Sequence, residues 1–335
     1  MGHFLGPTVN PISSEGFFVG SQLPNNAAKV WTQLVTGFEN DGNSFSFVAY
    51  LNGQWVISGD TGTGHVVFVA TNGISSWVKH SVGTTATSQT SVGSAFGDGT
   101  YVYVVKGATG AQPLSFTSTD LSTWTRNNTG FANGANLGTP VFGNGVFLLV
   151  QRGGTDYATS PDGATWTHQS TYVPHSWLGS VIFDGTQFVA LVQGVSSTLK
   201  IAVSPDGVSW TESSATLTVG SPIAVANRGT TQYVCGTSTP SDAGNSVNGA
   251  LTTVTAVSFN DALHATAAIA FGVANFARCN MTTNGLQSSS DGITWKKDTT
   301  PSGASNFNQL GYGAGRFIAV GAGNSTNNFA AKRNV

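Results

Sequence analysis

The chain has 335 residues, of which only 8% are charged, 39% are hydrophobic and 10% are aromatic. Globular domains carry about 25% charge, so this surface must be built from Ser, Thr, Asn and many of the 43 glycines, and the aromatic content excludes a disordered chain. A formal net charge of −2, with no basic cluster beyond Lys332-Arg333, argues against nucleic-acid binding, and no apolar run reaches the roughly 18 residues of a membrane helix.

Residues 1 to 26 read as an N-terminal arm. The arm lacks the charged and apolar regions of a secretory signal. It holds Phe4, Leu5, Phe17 and Phe18, and an apolar, charge-poor arm is expected to dock, on an adjoining subunit or on the rim of its own domain. Residues 27 to 335 read as one domain. That domain opens with Lys29-Val30-Trp31-Thr32-Gln33-Leu34, a strand with a Trp and no hairpin before it.

From there the chain repeats. Trp31, Trp77, Trp124, Trp166, Trp210, Phe259 and Trp295 are spaced 46, 47, 42, 44, 49 and 36 residues apart, close to the ~40–50 of a propeller blade. About twenty residues before most of them stands a tight turn followed by an aromatic and β-branched run, as in Asn52-Gly53-Gln54-Trp55, Asp98-Gly99-Thr100-Tyr101 and Asn144-Gly145-Val146-Phe147. Asn-Gly and Asp-Gly ahead of such a run predict a hairpin. A short strand precedes each turn, for example Phe47-Val48-Ala49-Tyr50 and Pro140-Val141-Phe142. Its alternation of small and large residues suits an innermost strand, where the sheets converge. Each unit is thus four strands, the last beginning near the Trp. The final unit ends at Asn328-Phe329-Ala330-Ala331-Lys332 without a Trp, while Trp31 has no unit of its own. The prediction is an all-β, seven-bladed β-propeller of four-stranded antiparallel blades. Its ring is closed by the N-terminal strand around Trp31, which completes the C-terminal blade and removes the free edges.

The turn before each Trp has its own signature. Ser160-Pro161-Asp162-Gly163-Ala164-Thr165-Trp166 recurs at Ser204-Pro205-Asp206-Gly207-Val208-Ser209-Trp210 and at Ser290-Asp291-Gly292-Ile293-Thr294-Trp295, with weaker copies around Asp120 and Trp124 and around Asn72 and Trp77. Blade five reads as having lost it, around Val257-Ser258-Phe259. These turns resemble the Asp-box (bacterial neuraminidase repeat) propellers, although Asp and Gly are adjacent here, one residue tighter than in that family. The expected role of Asn72, Asp120, Asp162, Asp206 and Asp291 is structural: a side chain that accepts backbone N–H groups in a turn. Trp77, Trp124, Trp166, Trp210 and Trp295 would cover the gap between sheets. A calcium site needs several carboxylates per loop and each turn offers one, so no metal and no cofactor is expected.

The resemblance also implies the chemistry of sialidases, with three arginines for a carboxylate, a Tyr–Glu nucleophile pair and an acidic proton donor. The three glutamates, Glu15, Glu39 and Glu212, and the scattered arginines offer no such set. A non-enzymatic protein is expected.

Variable loops on a rigid frame are where recognition usually sits. The connections on the face away from the Ser-x-Asp turns vary most, and Tyr172-Val173-Pro174-His175-Ser176-Trp177 is the most unusual. Tyr172, His175 and Trp177 are candidate platforms for a sugar or a protein partner; Trp177 could equally plug a blade junction. Arg126, Arg152 and Asp156 are candidate polar partners. Composition and the arm fit a virion protein that binds other virion proteins through its arm and meets a host glycan or protein through its loops. An extracellular or cell-surface location, a sialidase-like hydrolase, and an assembly or decoration subunit without a host ligand are the alternatives. Cys235 and Cys279 have no CxxC or His neighbour; a disulfide between them is open, and two buried apolar thiols is the simpler expectation.

Overall fold

Runs such as Val102-Tyr103-Val104-Val105 favour strands because branched and aromatic side chains pack well on a pleated surface. The computed structural model describes residues 29–37, 44–60, 64–73, 75–84, 89–170, 176–193, 198–218, 222–237, 243–259, 266–280, 285–301, 304–323 and 328–334. These residues form seven four-stranded antiparallel sheets. From the innermost strand outwards, blade 1 is Ser44–Leu51, Gln54–Asp60, Gly64–Ala70 and Val78–Thr84. Blade 2 is Thr90–Gly97, Thr100–Lys106, Leu114–Ser118 and Thr125–Asn128. Blade 3 is Val141–Gly143, Val146–Val150, Tyr157–Ser160 and Thr167–Gln169. Blade 4 is Ser176–Phe183, Phe188–Gln193, Leu199–Ser204 and Thr211–Thr216. Blade 5 is Pro222–Arg228, Gln232–Thr237, Ala243–Asn248 and Val254–Ser258. Blade 6 is Thr266–Gly272, Asn275–Asn280, Leu286–Ser289 and Lys296–Lys297. Blade 7 is Ala304–Gly313, Arg316–Gly323, Asn328–Asn334 and, from the other end of the chain, Thr32–Gln33. The described residues contain no helix, and so none long and apolar enough to cross a membrane.

The hairpins follow from their turn residues. Asn52 and Gly53 have φ of 46° and 79°, and Asn144 and Gly145 47° and 81°. Two consecutive left-handed residues match the twist of a two-residue hairpin, and Asn-Gly is the pair that adopts them at least cost.

Ring closure is a clasp built around one carboxylate. Thr32 pairs with Lys332 and Gln33 with Ala331. Asp298, on the last blade-6 turn, accepts Lys29 N at 3.0 Å, Trp31 Nε1 at 2.9 Å, Ser288 Oγ at 2.7 Å and Arg333 Nη1 at 3.0 Å. Arg333 also lies over the Trp31 and Phe317 rings, 5.2 and 4.7 Å from their centroids. Trp31 N and Thr299 N tie the backbones of the N-terminal segment and blade 6 together.

Each blade packs on the next through its own apolar cluster, so the core is a circle of seven interfaces rather than one centre. Cys235 lies between blades 4 and 5 and Cys279 between blades 6 and 7. Both thiols are free and buried, and burial pushes each up to about 12.

The Ser-x-Asp turns are built as their residues dictate. Asp162 Oδ1 accepts Ala164 N at 2.9 Å and Thr165 N at 2.8 Å, while Ser160 Oγ accepts Gly163 N at 2.8 Å and donates to Asp162 Oδ1 at 3.0 Å. Gly163 has φ of 73°, and a Cβ there would lie 2.1 Å from Val102 Cγ2 of the preceding blade. Asp120, Asp206 and Asp291 repeat the pattern, and the Asn72 side-chain carbonyl accepts Ser75 N at 3.1 Å. Trp124, Trp166 and Trp210 each close their turn by donating from Nε1 to a carbonyl three residues back. Trp77 and Trp295 are buried between blades.

Two readings of this turn need correction. The serine of the blade-6 copy is Ser289, not Ser290: Ser289 Oγ donates to Asp291 Oδ1 at 2.9 Å and accepts Gly292 N at 2.8 Å. Blade 5 has not lost the turn. Asn248 Oδ1 accepts Thr252 N and Thr253 N, both at 2.9 Å, and Leu251, at φ 56°, fills the gap between blades 4 and 5. An amide carbonyl replaces the carboxylate and the spacing grows by two, which hid the copy. Phe259 lies after the outer strand and packs on Trp295 of blade 6, 5.2 Å between centroids.

Candidate functional site

The four-strand repeat sends the inner hairpins and the Ser-x-Asp turns to one face and the remaining connections to the other. The inner strands therefore line a central channel with two mouths of different chemistry.

At the turn face the inner strands end in Tyr50, Phe96, Phe142, Phe183, Asn227, Phe271 and Tyr312, one per blade and each half-buried. All but Phe271 line the opening of a cavity of about 500 Å³. Each aromatic rests on an aromatic of the second strand, such as Phe96 on Tyr101 at 4.5 Å and Tyr312 on Phe317 at 4.8 Å between centroids. Its other support is the next residue along the preceding blade. A Cβ on Gly97, Gly143, Gly272 or Gly313 would fall 2.1–2.2 Å from the ring of Phe142, Phe183, Tyr312 or Tyr50. The aromatic-glycine pairs are plain in the sequence, yet they become a collar only once the ring is closed.

At the loop face the channel opens into a polar cavity of about 240 Å³. Lys106 ends the second strand of blade 2 and Arg152 stands two residues beyond that of blade 3, and both reach this rim together with Asn136. The loop joining those blades is strapped to both: Gly107 N donates to Ala135 O at 2.9 Å, Arg152 N to Asn136 O at 2.7 Å and Gly138 N to Val150 O at 2.9 Å. Phe131, fully buried, anchors the same loop. The frame is fixed, but the working ends of Lys106, Asn136 and Arg152 have no hydrogen-bond or ionic partner among the described residues. Desolvation pulls the Arg152 guanidinium below its ordinary pKa, and it remains a cation at neutral pH. Asp60, beside the rim, is committed elsewhere: it accepts Ser91 N at 3.0 Å and bonds His65 Nδ1 at 2.7 Å. Lys106 and Asn136 carried no signal in sequence, because they stand 30 residues apart in segments that only the fold joins.

The expected site residues separate. Arg152 is at the mouth. Arg126 is exposed on the outer strand of blade 2, beside Gln112 and Asn128, away from the channel. Asp156 bonds His168 Nδ1 at 2.9 Å between neighbouring strands on the outside of blade 3. Tyr172 and His175 lie outside the described residues. Trp177 must be corrected as a stacking platform. It opens the innermost strand of blade 4, is 0% exposed, packs edge-on against Tyr157 and Trp210, and donates from Nε1 to Thr155 O at 3.1 Å. Both faces of the indole are occupied by the junction of blades 3 and 4. Among the described residues no group of three or more His, Cys, Asp or Glu could hold a metal ion.

Fold and mouth together define a seven-bladed β-propeller, a frame suited to binding and recognition. No family profile and no curated protein matches the sequence. Solved structures match in shape. YCF48 from Cyanidioschyzon merolae is 14% identical, with a TM-score of 0.65 over 92% of this chain and 98% of that one. YCF48 bound to D1 peptide is 12% identical, TM-score 0.65, over 93% and 96%. A streptogramin B lyase is 8% identical, TM-score 0.66, over 92% and 98%. The fold thus serves binders and an enzyme alike.

Proposed function

We propose that this protein is a non-enzymatic recognition module of a virion or a surface assembly, and that it holds its partner at the loop-face mouth of the channel. One observation carries the reading: two cations and an amide, fixed by main-chain ties at the propeller axis, are left without partners (Lys106, Arg152 and Asn136). The ties fix where these side chains start on the frame, and their unpaired ends, exposed in Asn136 and Arg152, are open to a ligand. A similar propeller in complex with a peptide supports the mode. The charge-poor surface and the apolar arm support a place in an assembly, with kinship to the Asp-box propellers as the corollary.

The chemistry of the mouth supports binding rather than turnover. Its described lining holds a guanidinium and an ammonium but no carboxylate, imidazole or thiol, the groups that most often exchange a proton in acid–base catalysis. The aspartates of the Ser-x-Asp turns lie on the opposite face, tied to backbone N–H groups.

The test is adsorption of labelled protein to host cells or to an array of glycans and proteins, comparing wild type with Lys106→Ala/Arg152→Ala. Binding by the wild type and its loss in the double variant is expected, with no product from fluorogenic glycosides. Equal adsorption by both proteins, or glycoside turnover that the double variant abolishes, would refute the reading.

A further inference from the structure

We infer that the loop-face mouth selects a sugar ring that carries a carboxylate, an acidic saccharide of the uronate type. This rests on the mouth being the binding site.

The first support is charge. Only 28 of 335 residues are charged (13 Lys and Arg, 15 Asp and Glu). Two of the 13 cations share one small cavity, and among the described residues that line it there is no Asp or Glu. Two cations lining one cavity give it a positive potential that favours an anion. A guanidinium fork matches the two oxygens of a carboxylate, and the Lys106 ammonium adds a point charge from the side.

The second is the neutral lining. Asn136 offers a free amide. Gln309 Oε1 accepts Leu310 N at 3.0 Å, which leaves its Nε2 to donate, and Asn308 Nδ2 donates to Phe45 O at 3.3 Å, which leaves its Oδ1 to accept. Mixed donors and acceptors of this kind suit hydroxyl groups, which do both. Among the described residues the lining has no aromatic, and its apolar members are three aliphatic side chains (Val92, Leu137 and Ala267). A protein partner would want a pocket for a large apolar anchor at this spot; the described lining, mostly polar side chains and backbone, offers none.

The third is size. A volume of about 240 Å³ is below the range of drug-sized pockets, roughly 300–1,000 Å³, and suits one ring with its substituents rather than an extended chain. The ligand would therefore enter as a terminal or branching residue, with the rest of the glycan outside on the loop face.

The experiment is titration calorimetry with galacturonate oligomers, their methyl esters, a sulfated neutral oligosaccharide and an acidic peptide. The acid oligomer is expected to bind, and to weaken about tenfold or more on esterification, in Arg152→Gln and in Lys106→Gln, with Arg152→Lys in between because charge survives and the fork does not. Binding should also fall as salt rises. The substituted side chains are not part of the core, so melting temperatures should stay unchanged and confirm folding. Equal affinity for acid and ester, or binding of only the sulfated sugar or the peptide, would overturn this inference. If glycans or proteins of other chemistry bind and are lost in Lys106→Ala/Arg152→Ala, the acidic-sugar assignment fails while the mouth remains the site. If nothing tested depends on Lys106 or Arg152, both fail.

Discussion

Replacing Asp298 by Ala should loosen the ring at the point where the two ends of the fold meet. The wild-type carboxylate is 0% exposed and the Arg333 side chain 4%, so deletion leaves a buried guanidinium with no counter-charge. Breaking such a pair from one side costs about 3–5 kcal/mol. The indole N–H of Trp31, the backbone N–H of Lys29 and the hydroxyl of Ser288 also lose their acceptor. For a domain of this size each kcal/mol moves the melting temperature by roughly 2 °C, so a fall of roughly 6–10 °C is expected by calorimetry. Hydrogen exchange should quicken first at Trp31 N and Leu34 N, whose bonds to Thr299 O and Ala330 O hold the closing strand. The double variant Asp298→Leu/Arg333→Met removes both charges and should recover most of the loss, because apolar replacement of a buried pair is close to neutral. A loss below about 1 kcal/mol in Asp298→Ala, or an equal loss in the double variant, would refute the clasp.

Acid should unfold the protein late. In Asp206 desolvation works upward, but N–H groups of Ser209 and Val208 and the hydroxyls of Ser204 and Ser209 outweigh it and hold the carboxyl at about 2; Asp162 and Asp291 are lowered in the same way. A pKa depressed on folding adds stability that is complete above the unfolded value near 3.9 and disappears as the pH falls toward 2. Stability should thus hold down to about pH 4 and drop below it, and Asp206→Asn should flatten that drop; an unchanged slope would count against the turn chemistry. Gly143→Ala should cost roughly 1–3 kcal/mol, since its Cβ would lie 2.2 Å from the Phe183 ring; chemical denaturation checks it, and an unchanged midpoint would count against the packed collar. Cys235 and Cys279, with thiols near 12, should resist a thiol reagent until denaturant is added, and rapid labelling of the native protein would contradict their burial.

Much of the architecture could be read from the chain because turn chemistry is local. Asn52-Gly53 and Asp162-Gly163 announce a backbone that few other pairs adopt, and Trp31 without a hairpin had one place to go. The site was less legible because sidedness is not local. Trp177 looked like a platform among polar neighbours, yet one strand position decided that its indole faces a blade junction. Asn248 escaped notice because an amide did the work of a carboxylate at an altered spacing. Arg152 was a candidate for its charge alone; what matters about it, the company of Lys106 and Asn136, exists only after two blades are laid side by side.

The aromatic collar sets a rule for how such a ring can be lengthened or rearranged. Every unit brings a ring for one neighbour and a seat for the other. Glycine seats at 97, 143, 272 and 313 accept an aromatic from the following blade, so blades joined this way are interchangeable parts. Blade 5 is not. Its ring position is Asn227, the seat before it is Asp184, which bonds Tyr233 Oη at 2.7 Å, and its own seat is Arg228, lying 5.2 Å over Phe271. Seat and guest changed together on both sides. A duplicated copy of blade 3 would find compatible neighbours among blades 2, 3 and 4, whereas a copy of blade 5 would match none but its present ones. Growth or shuffling of this ring is therefore confined to two arcs, blades 2 to 4 and blades 6, 7 and 1, and blade 5 serves as the fixed index mark between them.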